Sequence, residues 1–137
     1  MTSKTVRTIM RPTSMCLHPD MDLIHVSDHL SKYNLPGAPV TDKDFNPIGY
    51  ISEYDCLEQL LQSTYYCDNT ALVEDVMSTN LVSVSPELTL IDVASQMNNS
   101  KLNAAPVIEN GKIIGVISRG DVMRELVKEI ESCKVPV

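Results

Sequence analysis

Basic charge is scarce in this chain: eleven lysines and arginines stand against eighteen aspartates and glutamates, a formal charge of −7. A surface of that sign repels phosphate backbones unless its cations gather on one face, and no such cluster is visible along the sequence. Aromatics are scarcer still. With one phenylalanine, no tryptophan and no stretch in which cations interleave with rings, the chain lacks the stacking platform of a single-strand binder, and no nucleic-acid partner is expected. Long apolar runs are missing too. The stretch around Ile113 is far too short to span a bilayer and the first ten residues hold no signal-like apolar core, so no membrane partner is expected and the cytoplasm is the expected compartment. Cys16, Cys56, Cys67 and Cys133 form no CxxC pair. A chain of 137 residues buries about two thirds of its unfolded surface and needs no disulfide staple, so free thiols are expected.

What the chain does have is a copy of itself. Met10 and Met77, Pro19 and Pro86, Leu23 and Leu90, and Pro39 and Pro106 are pairs 67 residues apart. Past the prolines the spacing drops to 66, matching Gly49 with Gly115, Ser52 with Ser118 and Asp55 with Asp121. A turn absorbs the one-residue loss. Repetition on this scale dictates the architecture, because neighbouring copies pack as units of one body. The chain therefore reads as a single module over 1–137, with repeat one over about 5–63, a linker over 64–72 and repeat two over about 73–132.

Hydrophobic period gives one order of elements in both copies: strand, helix, strand, strand, helix. Residues 15–17 are short and extended, after which Leu23, Val26 and Leu30 share a helical face. Asp20 and Asp22 sit where a helix start favours acids and caps. Asn34-Leu35-Pro36-Gly37 breaks that helix, residues 38–40 and 48–51 read as strands about a turn at 44–47, and a helix follows from Glu53 to about Ser63. In the second copy residues 81–84 are the first strand, Leu90, Val93 and Met97 share a helical face, and Asn98-Asn99-Ser100 closes that helix. Glu109-Asn110-Gly111 then joins residues 105–108 to 112–117 as a hairpin, and a last helix runs from about Arg119 to Glu131. The expected fold class is α+β, a tandem pair of β-α-β-β-α repeats related by pseudo-two-fold symmetry.

Ala38-Pro39-Val40 followed by Gly49-Tyr50-Ile51-Ser52-Glu53-Tyr54-Asp55 recurs as Ala105-Pro106-Val107 followed by Gly115-Val116-Ile117-Ser118-Arg119-Gly120-Asp121, each copy opened by a methionine. This doubled constellation resembles the CBS domain family over residues 6–127. The resemblance implies a cleft between the repeats that takes an adenosine-containing ligand (ATP, ADP, AMP or S-adenosylmethionine), as a regulatory ligand and not a required cofactor. It implies that Asp55 and Asp121 hold ribose hydroxyls, that Ser52 and Ser118 help to bind ribose or phosphate, and that backbone around Ala38-Pro39 and Ala105-Pro106 flanks the adenine. An ionised carboxylate suits that role, being an acceptor-only group able to take two adjacent hydroxyl protons. At a helix N-terminus the backbone N–H groups also favour a nearby phosphate. The resemblance further implies a homodimer made through helix faces, for which Leu57, Leu60, Leu61, Val122, Leu126 and Ile130 are candidates, and a separate effector protein of unknown identity.

Plainer readings stand beside these. Ser-x-x-Asp at a helix start is also a capping box that needs no ligand, so the alternative is a ligand-free structural adaptor or dimerisation module. The copies differ at one position, Glu53 in the first and Arg119 in the second. A guanidinium pairs with a phosphate where a carboxylate repels it, so the second-repeat site is preferred for a phosphorylated ligand if Arg119 faces the cleft. Lys32, Lys101 and Lys112 are further cations, each otherwise a solvated surface group. His25 and His29 lie one helical turn apart, and Cys16 and His18 alternate on a strand, but nothing completes either set to a tetrahedral site and no metal is expected. No catalysis is expected either. Tyr54 stands where a nucleophile elbow needs glycine, Ile113 follows Gly111-Lys112 where a phosphate loop needs Ser or Thr, and the three histidines fall within residues 18–29, away from both motifs.

Overall fold

The computed structural model describes residues 4–67 and 71–133. In the first copy a short helix α1 (Val6–Ile9) and a 3₁₀ turn (Thr13–Met15) precede α2 (Leu23–Lys32), the strands β1 (Gly37–Thr41) and β2 (Pro47–Ser52), and α3 (Glu53–Tyr66). The second copy runs α4 (Val73–Val76), α5 (Leu90–Ser100), β3 (Ala104–Glu109), β4 (Lys112–Ser118) and α6 (Arg119–Ser132). β1 pairs with β2 and β3 with β4, both antiparallel. Asp22, Ser52, Thr89 and Ser118 cap the four long helices, each side chain accepting the N–H three residues on, a contribution of about 1 kcal/mol apiece. Asn110 and Gly111 both have positive φ, 53° and 78°, as a type I′ hairpin turn requires.

The expected first strands shrink to single parallel bridges, Leu17 with Val40 and Val84 with Val107. Leu17 N–H reaches the Pro39 carbonyl and Thr41 N–H the Leu17 carbonyl, both at 2.9 Å. Two residues on, Pro19 or Pro86 has no N–H with which to extend the ladder. Helix α3 instead outruns its expected end. Thr64, Tyr65 and Tyr66, read as linker, are helical because no glycine or proline interrupts the run, and the chain leaves the helix at Cys67 with φ 53°. Asp68, Asn69 and Thr70 of that linker lie outside the described residues.

Each half holds a core, built around Leu23, Val26, Leu30, Leu35 and Ile51 in the first and Leu90, Val93, Met97, Ile117 and Val122 in the second. The leading segments are exchanged between them. Val6 of α1 is buried in the second core and Val73 of α4 in the first. Backbone bonds fix the exchange: Val6 N–H to the Leu88 carbonyl at 2.9 Å and Arg7 N–H to Pro86 at 3.0 Å, matched by Val73 N–H to Met21 at 2.9 Å and Glu74 N–H to Pro19 at 3.0 Å. Cys16, Ile113 and Val116 form a small third cluster joining the halves.

The exchange accounts for two of the repeated sequence signals. The segment after each opening methionine crosses the other copy's hairpin at its motif glycine. A Cβ on Gly115 would lie 2.7 Å from the Arg11 carbonyl and 2.6 Å from the Met10 sulfur, and one on Gly49 would press on Met77 and lie 3.0 Å from the Ser78 carbonyl.

Burial divides the cysteines. Cys16 and Cys56 are buried, Cys67 and Cys133 exposed, and all four are free thiols. Burial pushes the Cys16 thiol up to about 12 and raises that of Cys56 as well, so neither supplies the nucleophilic thiolate at neutral pH. A colorimetric disulfide reagent is expected to titrate two thiols in the native protein and four after unfolding. Four reactive thiols under native conditions would show that the two buried sites open readily.

Candidate functional site: the cleft between the repeats

The two motifs occupy equivalent corners, where β2 turns into α3 at Ser52 and β4 turns into α6 at Ser118. Along β2 the side chains alternate, so that Ile51 enters the first core while Tyr50 and Ser52 face the other repeat. A cleft of about 210 Å³ opens there, lined by Tyr50 and Ser52 of the first repeat and by Asn80, Val82, Lys101, Asn103, Ala104 and Pro106 of the second. Larger grooves exist, of about 400 Å³ between α2 and α3 and about 550 Å³ between α5 and α6. Each of those is built from one repeat alone, and the smaller cleft is the one of the three that both repeats line. Burial above all, with the charges of Asp55 and Glu53, pushes the Tyr50 phenol upward, so it enters the cleft wall as a neutral hydroxyl.

Both capping boxes are complete. Asp55 N–H donates to Ser52 Oγ at 3.1 Å and Ser52 N–H to Asp55 Oδ2 at 2.9 Å, and the second corner repeats this at 3.2 and 3.0 Å with Asp121 and Ser118. Each box uses a single carboxylate oxygen. The fate of the other oxygen differs between the corners. Asp121 Oδ1 accepts from Arg11 Nε at 3.1 Å and from Arg124 Nη2, while Arg11 Nη1 also donates to the Tyr33 carbonyl at 3.3 Å. Ser118 and Asp121 are buried, whereas Ser52 and Asp55 are half-exposed, and no cation sits on Asp55 among the described residues. Motif reading missed Arg11 and Arg124 because both lie outside the repeated tripeptides. The repeat spacing carries the signal nonetheless, since their counterparts in the other copy are Ser78 and Glu58.

The structure brings Ser52 and Pro106 together at the cleft. Ala38 and Ala105 turn their methyl groups into the two cores, leaving only backbone to offer a ligand, and the Pro39 carbonyl is taken by Leu17. Arg119 is exposed and lines the groove between α5 and α6 instead of the cleft, which removes the ground for preferring the second half. Among the lysines, Lys101 lines the cleft, Lys32 lies 5.6 Å over the Tyr33 ring, and Lys112 Nζ donates to Asn46 Oδ1 of the other hairpin at 2.7 Å. His25 pairs with Asp22 and His29 packs on Tyr33, with ring centroids 4.8 Å apart. No group of three or more His, Cys, Asp or Glu side chains converges among the described residues. Of the helix-face candidates, Leu57, Leu61 and Ile130 are exposed and Leu60 and Leu126 half-buried, but Val122 is a core residue, because α6 turns that position inward against Ile117 and Met97.

Residues 6–62 and 73–128 each match the CBS domain family. The chain belongs to that family. Its mixed α and β architecture, with two small antiparallel sheets, is that of a CBS pair. The structure of CBSX2 from Arabidopsis thaliana in complex with AMP aligns with a TM-score of 0.75 at 27% identity, over 92% of this chain and 98% of that one. A putative acetoin utilization protein, AcuB of Vibrio cholerae, shares the fold with a TM-score of 0.82 at 20% identity, over 98% of this chain and 100% of that one. In sequence, the uncharacterized protein MJ1426 of Methanocaldococcus jannaschii is 26% identical across 89% of this CBS pair and 90% of its own length. Other curated relatives are longer, the chain spanning 43% and 51% of two of them. Among the described residues, no helix is long and apolar enough to cross a membrane.

Proposed function

We propose that this CBS pair is a non-catalytic regulatory module of the cytoplasm. It binds an adenosine-containing ligand in the half of the cleft formed by Ser52 and Asp55 and passes its state to a separate effector protein. The observation that carries this reading is the Asp55 carboxylate. Its capping box occupies one oxygen, the other carries no cation among the described residues, and the box ties the group to Ser52, which lines the cleft between the repeats. Such an oxygen accepts ribose hydroxyl protons. Ala104 and Pro106 offer an apolar wall to a purine, and Lys101 offers a positive charge to a phosphate. AMP in CBSX2, a relative matched over nearly its whole length, supports the ligand class. Binding acts as a signal to the extent that the ligand prefers one arrangement of the two repeats over another.

Thermal unfolding with AMP, ADP, ATP or S-adenosylmethionine tests the proposal. A ligand at a hundred times its dissociation constant adds about 2.7 kcal/mol, raising the midpoint of a domain of this size by roughly 8 °C. Asp55→Ala is expected to abolish that rise. The complete capping boxes at both corners favour a second reading, a ligand-free adaptor in which the two acids serve the helices alone. An unmoved midpoint with all four compounds would establish the adaptor.

Two copies pair through α3 and α6, where Leu57, Leu61 and Ile130 stand 54%, 65% and 66% exposed. Sedimentation at micromolar concentration is expected to give the dimer mass, and Leu61→Glu combined with Ile130→Glu the monomer. A wild-type monomer would overturn the pairing.

A further inference from the structure

The two corners of the cleft are the same in backbone and different in charge. The geometry points to a module with one working ligand site, its second half latched shut by Arg11 and Arg124 on Asp121. This inference rests on the proposed binding of an adenosine ligand and specifies how many such ligands the chain takes.

Three observations carry it. The Asp121 carboxylate is spent: Oδ2 takes the Ser118 N–H, and Oδ1 takes Arg11 Nε and Arg124 Nη2. A carboxylate has about four lone-pair positions, and with three of them filled and 7% of the side chain exposed, no pair of adjacent hydroxyls can reach it. Arg11 is itself anchored, with Nη1 on the Tyr33 carbonyl at 3.3 Å and its backbone paired to Val116 in both directions, at 2.7 and 2.9 Å. The Arg11 arm of the latch therefore springs from a backbone that is itself fixed by a bridge to β4, and Arg124 of α6 completes it. At the equivalent positions the first half has Ser78 and Glu58, a short hydroxyl and a like charge, neither of which can neutralise Asp55. The unlatched corner keeps an unpaired acceptor for ribose, and Lys101 supplies a cation to its cleft, whereas at the latched corner the arginines meet the acid first.

The test is ligand stoichiometry with AMP, measured by equilibrium dialysis on the full chain. Wild type is expected to bind one AMP per chain and Asp55→Ala none. The pair Arg11→Gln with Arg124→Gln, which keeps much of each aliphatic stem while removing both charges, is expected to bind two. The triple variant that adds Asp55→Ala to that pair is expected to bind one, now at Asp121. Two AMP per wild-type chain would overturn the latch. So would a single AMP that survives Asp55→Ala, or a glutamine pair that still binds one. Amide chemical shifts in the wild type give a reading that does not depend on how the variants fold. AMP is expected to move Ser52, Asp55, Asn80 and Ala104 and to leave Ser118 and Asp121 in place, and the reverse pattern would sink the inference. If wild type and glutamine pair alike bind no AMP, ADP, ATP or S-adenosylmethionine, the adenosine reading itself fails and the latch falls with it. Binding lodged at Asp121 overturns the latch alone.

Discussion

Valine at position 115 is expected to destabilise the protein by about 3 kcal/mol, near the top of the range for overpacking a well-filled site. A Cβ at that position would lie 2.7 Å from the Arg11 carbonyl, well inside ordinary van der Waals contact. The Met10 sulfur, at 2.6 Å, can swing aside. The carbonyl cannot, because it is held by Val116 N–H at 2.9 Å while Arg11 N–H holds the Val116 carbonyl at 2.7 Å. Relief requires the whole leading segment to lift, and Val6 would leave the second core with it. Gly120 is the control. The nearest atom to a Cβ there is Arg124 Nη1 at 3.5 Å, an ordinary contact inside α6, so Gly120→Ala is expected to be neutral or stabilising by about 0.5 kcal/mol. Urea unfolding of both variants checks the pair, and similar effects at the two positions would show that the crossing at Gly115 is not close-packed.

A chain that begins at Arg11 is expected to lose the cooperative unfolding of its second repeat. The missing segment carries Val6, fully buried among Val84, Leu90, Val93 and Ile117, and the partly buried Ile9 and Met10. It also carries the ion pairs of Lys4 with Glu125 at 2.6 Å and Arg7 with Glu87 at 2.7 Å. Burying a valine is worth about 2 kcal/mol and the two half-buried side chains about as much together. A total of about 4 kcal/mol is a large share of the 5–15 kcal/mol by which small domains are stable. Amide hydrogen exchange reads the outcome directly: protection is expected to collapse in α5 and α6 and to fall less in α2 and α3, whose core keeps Val73. A truncated chain with an unchanged midpoint would mean that α1 only decorates the surface.

Most of the architecture is legible in the sequence, for a physical reason. Helical and hairpin periods are local, and the matched spacing of Leu23 with Leu90 and Ser52 with Ser118 repeats them as a set. The first strands are shorter than apolar character at Leu17 and Val84 implies, because the prolines two residues on stop the ladder. The linker is shorter than composition implies, because tyrosines and polar residues end a helix only when a breaker accompanies them, and α3 meets none before Cys67. The exchange of Val6 and Val73 was invisible for a different reason. A repeat says which residues correspond, not which half each one packs against. The same blindness hid the contact of Arg11 with Asp121, 110 residues apart in the chain, although laying the copies side by side shows arginine in one where the other has Ser78.

The exchanged segments also bear on how the chain reaches this state. Val6 bonds to Leu88 and Arg7 to Pro86, so α1 has no seat until the second repeat has followed it. The first core likewise waits for Val73 before it closes. Contacts of such long range raise contact order and slow folding, and until the clasp closes each half shows a neighbour the groove meant for its own partner. Two nascent copies that meet in that interval can each fill the other's groove.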